Sequence, residues 1–306
     1  MKKVHVNILR FLVAILILSF LTLKIGVENL QEVMKKVNLR FIFLAILIYI
    51  FALFAVSYRL KLMLKNLDLN LGISQIFWCN MLGMLVSEVT PGRVGYLTTA
   101  YALFKKGKIK KSRSLSVILS VQVLDFSLRT ILALAAFFYL FYTFKKISEI
   151  RFMMLLGIST LFLITFFLLI LSTSREITKL VEHIPYKSEK IKESIEIFQR
   201  LHRESLSDFT NIFILTLSSW IFTGARWIFV GNSLSLNLSP LTYLLLQPLI
   251  LSLSFLPITL GGLGITEGAV AGIFVLLGVE PEAALAFALL DRGVVFIVGI
   301  KEIGEI

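Results

Sequence analysis

Eight charged residues lie inside stretches of the sequence that are otherwise apolar. Four are basic and four are acidic: Arg93, Arg129, Arg226 and Arg292, with Glu88, Asp125, Glu267 and Asp291. An unpaired charge in a water-poor, low-dielectric environment costs at least about 2.5–3.5 kcal/mol, so such residues are normally paired or functional. Asp125 and Arg129 are four residues apart and can pair on one helix face. The eight charges cancel, and we expect function to depend on them.

Two glycine-rich segments are the second candidate for chemistry. They read Thr90-Pro-Gly-Arg-Val-Gly95 and Thr259-Leu-Gly-Gly-Leu-Gly264, and both match T-x-G-x-x-G. Glycine allows positive φ and close backbone approach. A helix that begins after either segment would direct free N–H groups and a positive dipole end towards a phosphate, and an arginine adds a bidentate partner. The predicted binding residues are Thr90, Gly92, Arg93, Gly95, Thr259, Gly261, Gly262, Gly264 and Glu267.

Purely structural explanations exist for the same residues. The buried charges can be static ion pairs that hold helices together. Glu267 lies one turn into its predicted helix, where it can cap the first N–H groups instead of binding a ligand. Arg226 lies near the predicted end of its helix and can extend to the membrane surface.

The composition indicates that membrane helices position these residues. Of 306 residues, 57% are apolar and 16% are charged, against about 45–50% and about 25% in soluble domains. The net charge of +12 then favours an anionic membrane surface as partner, and no nucleic acid. One cysteine and three histidines without ligand spacing predict no metal, cofactor or catalytic residue. We expect an all-α polytopic membrane protein that forms a single integral domain over residues 1–306.

Hydropathy predicts about six full crossings and two interrupted segments. The crossings are expected at 11–23, 39–62, 115–143, 152–172, 209–231 and 283–300. Segments 75–104 and 241–279 are apolar but broken in the middle, and each leg is shorter than the roughly 30 Å needed to cross the hydrocarbon. We expect re-entrant hairpins there, with kinked full crossings as the alternative.

Basic residues predict the orientation. Residues 105–113 hold six positive charges and no acid, so the positive-inside rule places them in the cytoplasm only if 75–104 enters and leaves from that face. The same rule assigns Arg59, Lys61 and Lys65 to the cytoplasmic side. Both termini are also predicted to be cytoplasmic, and the membrane is predicted to be the plasma membrane. Segment 175–208 is predicted to be either an interfacial helix or a solvated linker.

Three pairs of residues suggest an internal repeat. Arg59 and Arg226 are 167 residues apart, the two T-x-G-x-x-G segments 169, and the Leu-Asp pairs ending at Asp125 and Asp291 are 166 apart. We predict halves of approximately 1–145 and 150–306, each with two helices, a broken hairpin and a further helix. The halves begin on opposite sides and are therefore predicted to be inverted.

Motifs in both halves resemble one known family. Pro91-Gly-Arg-Val-Gly95 resembles its P-x-R-x-G element, and the run from Leu256 to Glu267 resembles its L-P-x-x-x-G-G-x-G-x-x-E signature. Leu290-Asp-Arg292 is similar to its late-helix arginine. The family is that of the lysylphosphatidylglycerol synthase transmembrane region, which includes the flippase half of the multiple peptide resistance factor. The resemblance implies lipid transport and makes a homodimer possible.

Three functions are therefore compared. The first is a flippase that moves a lipid with a phosphate-containing headgroup through a cavity between the hairpins. The second is a membrane-embedded transferase, or a subunit of one, in which Glu267 or Asp291 acts as general base on a lipid-linked substrate. The third is a structural or regulatory partner of another membrane protein. The pattern favours the flippase, which is not an enzyme.

Overall fold

The computed structural model describes residues 2–143, 151–173, 189–204 and 209–300 as a bundle of α-helices. The only β-pairing in these ranges is a single bridge between two residues. The helices are α1 (Lys2–Ile25), α2 (Val27–Lys35), α3 (Leu39–Lys65), α4 (Ile73–Glu88), α5 (Thr98–Gly107), α6 (Lys111–Thr143), α7 (Arg151–Thr173), α8 (Glu189–Glu204), α9 (Phe209–Ser233), α10 (Pro240–Leu253), α11 (Ile265–Leu276) and α12 (Pro281–Ile300).

Several helices are long and apolar enough to span a membrane. By length and composition α3, α6, α7 and α9 qualify, and a fifth span results if the bent pair α1 and α2 counts as one. The chain bends by 84° between these two helices, at Gly26. The predicted crossing at 283–300 lies in α12, which carries Glu282, Asp291 and Arg292. The all-α membrane architecture is confirmed.

Both interrupted segments are helix breaks in the structure. The first break separates α4 from a 3₁₀ turn at Val94–Leu97, which leads directly into α5. The second break lies between the end of α10 at Leu253 and the start of α11 at Ile265. We call the two breaks, residues 89–97 and 254–264, the first and the second tip. The breaks lie within the predicted segments, while entry and exit from one membrane face stays a prediction.

The two tips touch each other. Gly261 N–H donates to the carbonyl oxygen of Thr90 over 3.0 Å, beside an antiparallel bridge between Pro91 and Leu260. Gly261 has φ +55°, and a β-carbon there would overlap the Glu88 carbonyl oxygen. Only glycine fits this close approach, so the sequence motif and the contact between the tips are directly linked.

The helices that carry the charged residues pack in the middle of the bundle. Helices α3 and α9 lie side by side, and α6 and α12 each contact both. One apolar cluster contains Trp227, Phe274 and Phe287, whose rings pack edge-on or tilted. Burial of these large rings stabilises the arrangement of α9, α11 and α12 around the tips.

Part of the uncertain segment 175–208 is a helix that packs on the bundle. Phe198 of α8 is 1% exposed and packs with Val123 and Leu168, and Ser116 donates to the carbonyl oxygen of Ser194. Because α8 is packed in this way, the solvated-linker alternative is wrong for residues 189–204. The rest of that segment lies outside the described residues.

Candidate functional site

A cavity of about 350 Å³ lies beside the two tips. Its walls come from α3, α4, α6, α7, α9, α10, α11 and α12 and from both tips. All eight charged residues singled out from the sequence line it: Glu88, Arg93, Asp125, Arg129, Arg226, Glu267, Asp291 and Arg292. Much of the remaining wall is apolar, including Leu97, Leu132, Ile250 and Val270. The cavity is therefore amphipathic.

One ion pair joins α9 to α12. Arg226 Nη2 donates to Asp291 Oδ2 over 3.0 Å, and Arg226 Nε lies 2.8 Å from Asp291 Oδ1 without forming a second hydrogen bond. The Arg226 guanidinium also stacks over the ring of Tyr49 at 4.6 Å. Arg226 is 3% exposed, so the expectation that it extends to the membrane surface is wrong. The Asp291 carboxylate and the Tyr49 ring hold it inside the bundle instead.

A second ion pair joins α3 to α6. Arg59 Nη1 lies 2.6 Å from Asp125 Oδ1 and also donates to Thr216 Oγ1 over 2.7 Å. Arg59 is 1% exposed, so its side chain lies inside the bundle, while the side of the membrane on which it lies stays a prediction. It belongs to the buried charges, because a carboxylate and a hydroxyl are there to receive it.

Asp125 has a further arginine neighbour on its own helix. Arg129 Nη2 lies 3.5 Å from Asp125 Oδ2, one turn along α6, and its side chain is 28% exposed. The predicted pair is therefore present. It is longer than the pair with Arg59, and the carboxylate is shared between two guanidinium groups.

A third group of charges joins the tips to α12. Glu88 Oε1 lies 2.9 Å from Arg93 Nη2, and Glu88 Oε2 lies 3.1 Å from Arg292 Nη1. Arg292 also pairs closely with Glu267 and donates to Thr266 Oγ1 over 2.6 Å. Two arginines and two carboxylates thus balance one another and connect both broken segments.

The N–H groups that were expected to bind an anion are already bonded. Gly95 N–H donates to Thr90 Oγ1 over 2.8 Å, and Gly264 N–H donates to Glu267 Oε2 over 2.7 Å. The capping explanation of Glu267 is confirmed, and the same carboxylate also pairs with Arg292. Arginine side chains, rather than these two N–H groups, therefore give the cavity its capacity for anions.

The remaining residues of the predicted binding set divide into two groups. Gly92 lines the cavity together with Arg93 and Glu267. The others lie in or beside the tips and shape the backbone behind the cavity wall: Thr90, Gly95, Thr259, Gly261, Gly262 and Gly264. Their contribution is to the geometry of the tips.

Polar lining residues outside the motifs escaped the sequence analysis. Thr216, Trp220 and Thr223 on α9 all face the cavity, with Gln122 and Gln247 on other helices. These three positions precede Arg226 at intervals of three or four residues, so the sequence alone could have placed them on the same helix face as Arg226. The repeat offset that links Arg59 to Arg226 likewise signals a buried arginine on α3.

Comparison with known proteins gives the family. The family model described as the lysylphosphatidylglycerol synthase TM region matches residues 7–300. A membrane protein named UPF0104 from Pyrococcus horikoshii is 25% identical over 89% of this chain and 87% of its own length. Another from Methanocaldococcus jannaschii is 25% identical over 97% of this chain and 91% of its own. The chain belongs to the lysylphosphatidylglycerol synthase transmembrane-region family, as its motifs indicated.

Proposed function

We propose that this member of the family is a lipid translocator. A polar, phosphate-containing headgroup would pass through the cavity beside the tips while the acyl chains remain in the bilayer. The observation that carries the proposal is the joining of two broken helices, tip to tip, at a cavity with both charged and apolar walls. Broken helices at membrane depth are tolerated where they line such a cavity, and they mark binding sites in transporters.

The cavity meets the physical requirements of a headgroup path. A headgroup loses its hydration when it leaves the membrane surface, so charged partners must replace water along the way. The eight lining charges supply those partners, and the volume of about 350 Å³ lies in the range of small-molecule sites. Apolar side chains such as Leu97 and Ile250 give the first carbons of the tails a compatible wall.

Alternating access requires the tips to separate. A hydrogen bond from Gly261 N–H to the Thr90 carbonyl oxygen and one backbone bridge join the tips directly. Arg292 on α12 connects the two broken segments through Glu88, Glu267 and the Gly261 carbonyl oxygen. Breaking the direct contacts and rearranging the Arg292 ion pairs would open the cavity past the tips. In this proposal the hairpins enter from opposite faces as an inverted repeat, in the plasma membrane with cytoplasmic termini.

The positions of two carboxylates favour translocation over group transfer. A transferase would use Glu267 or Asp291 as a general base, but Glu267 caps a helix and pairs with Arg292. Asp291 is held along one edge of the Arg226 guanidinium, through Nε and Nη2. A general base must have a carboxylate oxygen within hydrogen-bond reach of the substrate proton, whereas both of these carboxylates are already engaged by arginine.

Reconstitution tests the proposal. Purified protein in liposomes is expected to move fluorescently labelled phospholipids or polyprenyl-phosphate lipids between leaflets, measured by quenching of the outer leaflet with a membrane-impermeant reductant. Arg93→Ala should slow the flux about tenfold, since Glu88 then loses one of its two partners and the headgroup loses a cation. The matched control is Arg40→Ala, which removes an exposed arginine at the start of α3.

Further outcomes decide between the functions. No flux with any lipid of a broad panel would contradict the translocator, and product formation with an activated donor would favour the transferase. An absence of both flux and product, together with wild-type behaviour after Arg93 and Glu267 are neutralised, would indicate a structural or regulatory role. Arg93→Lys, which keeps the charge, is expected to retain more flux than Arg93→Ala and guards against misfolding as the explanation.

A further inference from the structure

Arg129 is less neutralised than the other arginines of the cavity. Its partner Asp125 is bonded at 2.6 Å by the buried Arg59, while Arg129 lies 3.5 Å away on the other carboxylate oxygen. One carboxylate cannot balance two guanidinium groups. The group formed by Arg59, Asp125 and Arg129 therefore carries a net charge of +1.

The other charges at the cavity balance. Arg226 and Asp291 form a pair of equal and opposite charges, and Arg93 and Arg292 face Glu88 and Glu267. The structure thus corrects the expected balance of four positive against four negative charges, because Arg59 is a fifth arginine in these ion pairs. The surplus falls on Arg129, the most exposed member of these ion pairs. An uncompensated positive charge in a low-dielectric cavity attracts an anion.

Four buried donors of cavity-lining residues have no hydrogen-bond partner among the described residues. They are the Nε atoms of Arg93 and Arg226 and the indole N–H groups of Trp220 and Trp227, and Arg226 Nε lies within ion-pair distance of Asp291. Trp220 follows Thr216 by one turn of α9, and Thr216 binds Arg59. Trp220 is therefore placed on the helix face that meets the group around Asp125. An indole N–H can only donate, so it suits an acceptor such as a phosphate oxygen.

The surplus charge is confined to one half of the chain. At the repeat offset of 166, the position equivalent to Arg129 is Val295, and the position equivalent to Arg292 is Phe126. All four residues line the cavity. Arg292 is committed to two carboxylates, whereas Arg129 shares one, so the two halves offer an anion different environments.

We propose that Arg129, with the indole of Trp220 and the Nε of Arg93, forms an anion subsite that selects headgroups with a net negative charge. The single negative charge of a phosphodiester without an amine would be balanced by the surplus positive charge at Arg129. The ammonium of a zwitterionic headgroup would instead be repelled by that charge. This proposal rests on the cavity being the headgroup site of the translocator. It specifies the class of lipid, and the shared chemistry it recognises is a phosphate oxyanion.

Equilibrium binding tests the subsite directly. Dihexanoyl phosphatidylglycerol and dihexanoyl phosphatidylcholine are titrated separately into the protein in non-ionic detergent, and inorganic phosphate is then titrated into the protein with the anionic lipid bound. We expect the wild type to bind the anionic lipid at least tenfold more tightly than the zwitterionic one. Arg129→Gln should reduce this preference to twofold or less, and Arg129→Lys should retain most of it. Arg40→Gln, an exposed arginine with the same change, should leave the preference unaltered.

The arms of the test separate the possible outcomes. Displacement of the anionic lipid by inorganic phosphate supports an oxyanion subsite that free phosphate can also fill, and no displacement supports a subsite for the lipid. Equal affinity for both lipids in the wild type, or an unchanged preference in Arg129→Gln, overturns the proposal. Preference for the anionic lipid without flux in liposomes would contradict the translocator proposal and support the subsite. Flux in liposomes without that preference would support the translocator and contradict the subsite.

Discussion

Two ion pairs of the same residue types lie at nearly equal sequence offsets but have different surroundings. Arg59 with Asp125 and Arg226 with Asp291 each join a long helix to the second helix after a tip, and the arginines are 167 and the aspartates 166 residues apart. The second pair is one-to-one, with Tyr49 over its guanidinium. The first is shared with Arg129.

The difference shows that two ion pairs of the same residue types can serve different purposes in one molecule. A one-to-one pair leaves no net charge, so the Arg226 pair is expected to hold α9 against α12. The group around Asp125 holds α3 against α6 and still carries a positive charge into the cavity. In the first half, one group of residues around Asp125 therefore has both a structural role and a proposed binding role. In the second half, Arg226 with Asp291 forms one group, and Arg292 with its two carboxylates forms another.

The largest expected effect comes from removing the shared carboxylate. Asp125→Asn leaves Arg59 buried without its counter-charge, and breaking such a pair costs about 3–5 kcal/mol. Thermal unfolding in detergent measures the loss. Asp291→Asn should cost about 1 kcal/mol less, because the Tyr49 ring still stabilises Arg226. Asp68→Asn, at an exposed turn, is the control, and equal losses at Asp125 and Asp291 would contradict the comparison.

The second-largest difference between the two ion pairs is expected when both members of a pair are replaced by apolar residues. In the double variant Arg226→Met with Asp291→Leu, no unpaired charge remains, so about 2 kcal/mol of the loss seen in the single variants should be recovered. The equivalent change, Arg59→Met with Asp125→Leu, leaves Arg129 without any carboxylate and should recover less. Double-mutant cycles of unfolding free energy check this. Equal recovery would mean that Arg129 is neutralised by another group.

The hydroxyl that supports only the first pair gives a smaller effect. Thr216→Val removes the second acceptor of Arg59 Nη1 and should destabilise the protein by about 1.5 kcal/mol. Thermal unfolding is again the measurement. Thr160→Val, at an exposed position where the hydroxyl bonds only its own helix, should change the stability little. A loss as small as that of the control would show that Asp125 alone holds Arg59.

The smallest stability effect is expected at the residue with the largest proposed effect on selectivity. Arg129→Gln should change the unfolding free energy by less than about 1 kcal/mol, because its ion pair is long and partly exposed to solvent. The combination of near-normal thermal unfolding with lost anion preference would separate binding from folding. A large destabilisation would instead place Arg129 among the structural ion pairs.

The sequence predicted elements and motifs better than it predicted individual charges. Long apolar runs and glycine-rich breaks depend on local composition, so the helices and both tips could be located. Arg226 was included among the intramembrane charges, whereas Arg59 was left out of that set. Its position near a helix end gave no sign of burial, because its partner Asp125 lies 66 positions further along the chain.

The sequence by itself determined an all-helical membrane protein of this family, with two glycine-rich breaks and a set of charges inside its apolar spans. These follow from hydropathy, from the need to satisfy backbone groups within each helix, and from local motifs. Only the tertiary structure decided which arginine meets which carboxylate. Pairing between distant helices depends on how they pack, and that packing leaves Asp125 shared, Arg129 in surplus and the two tips in contact.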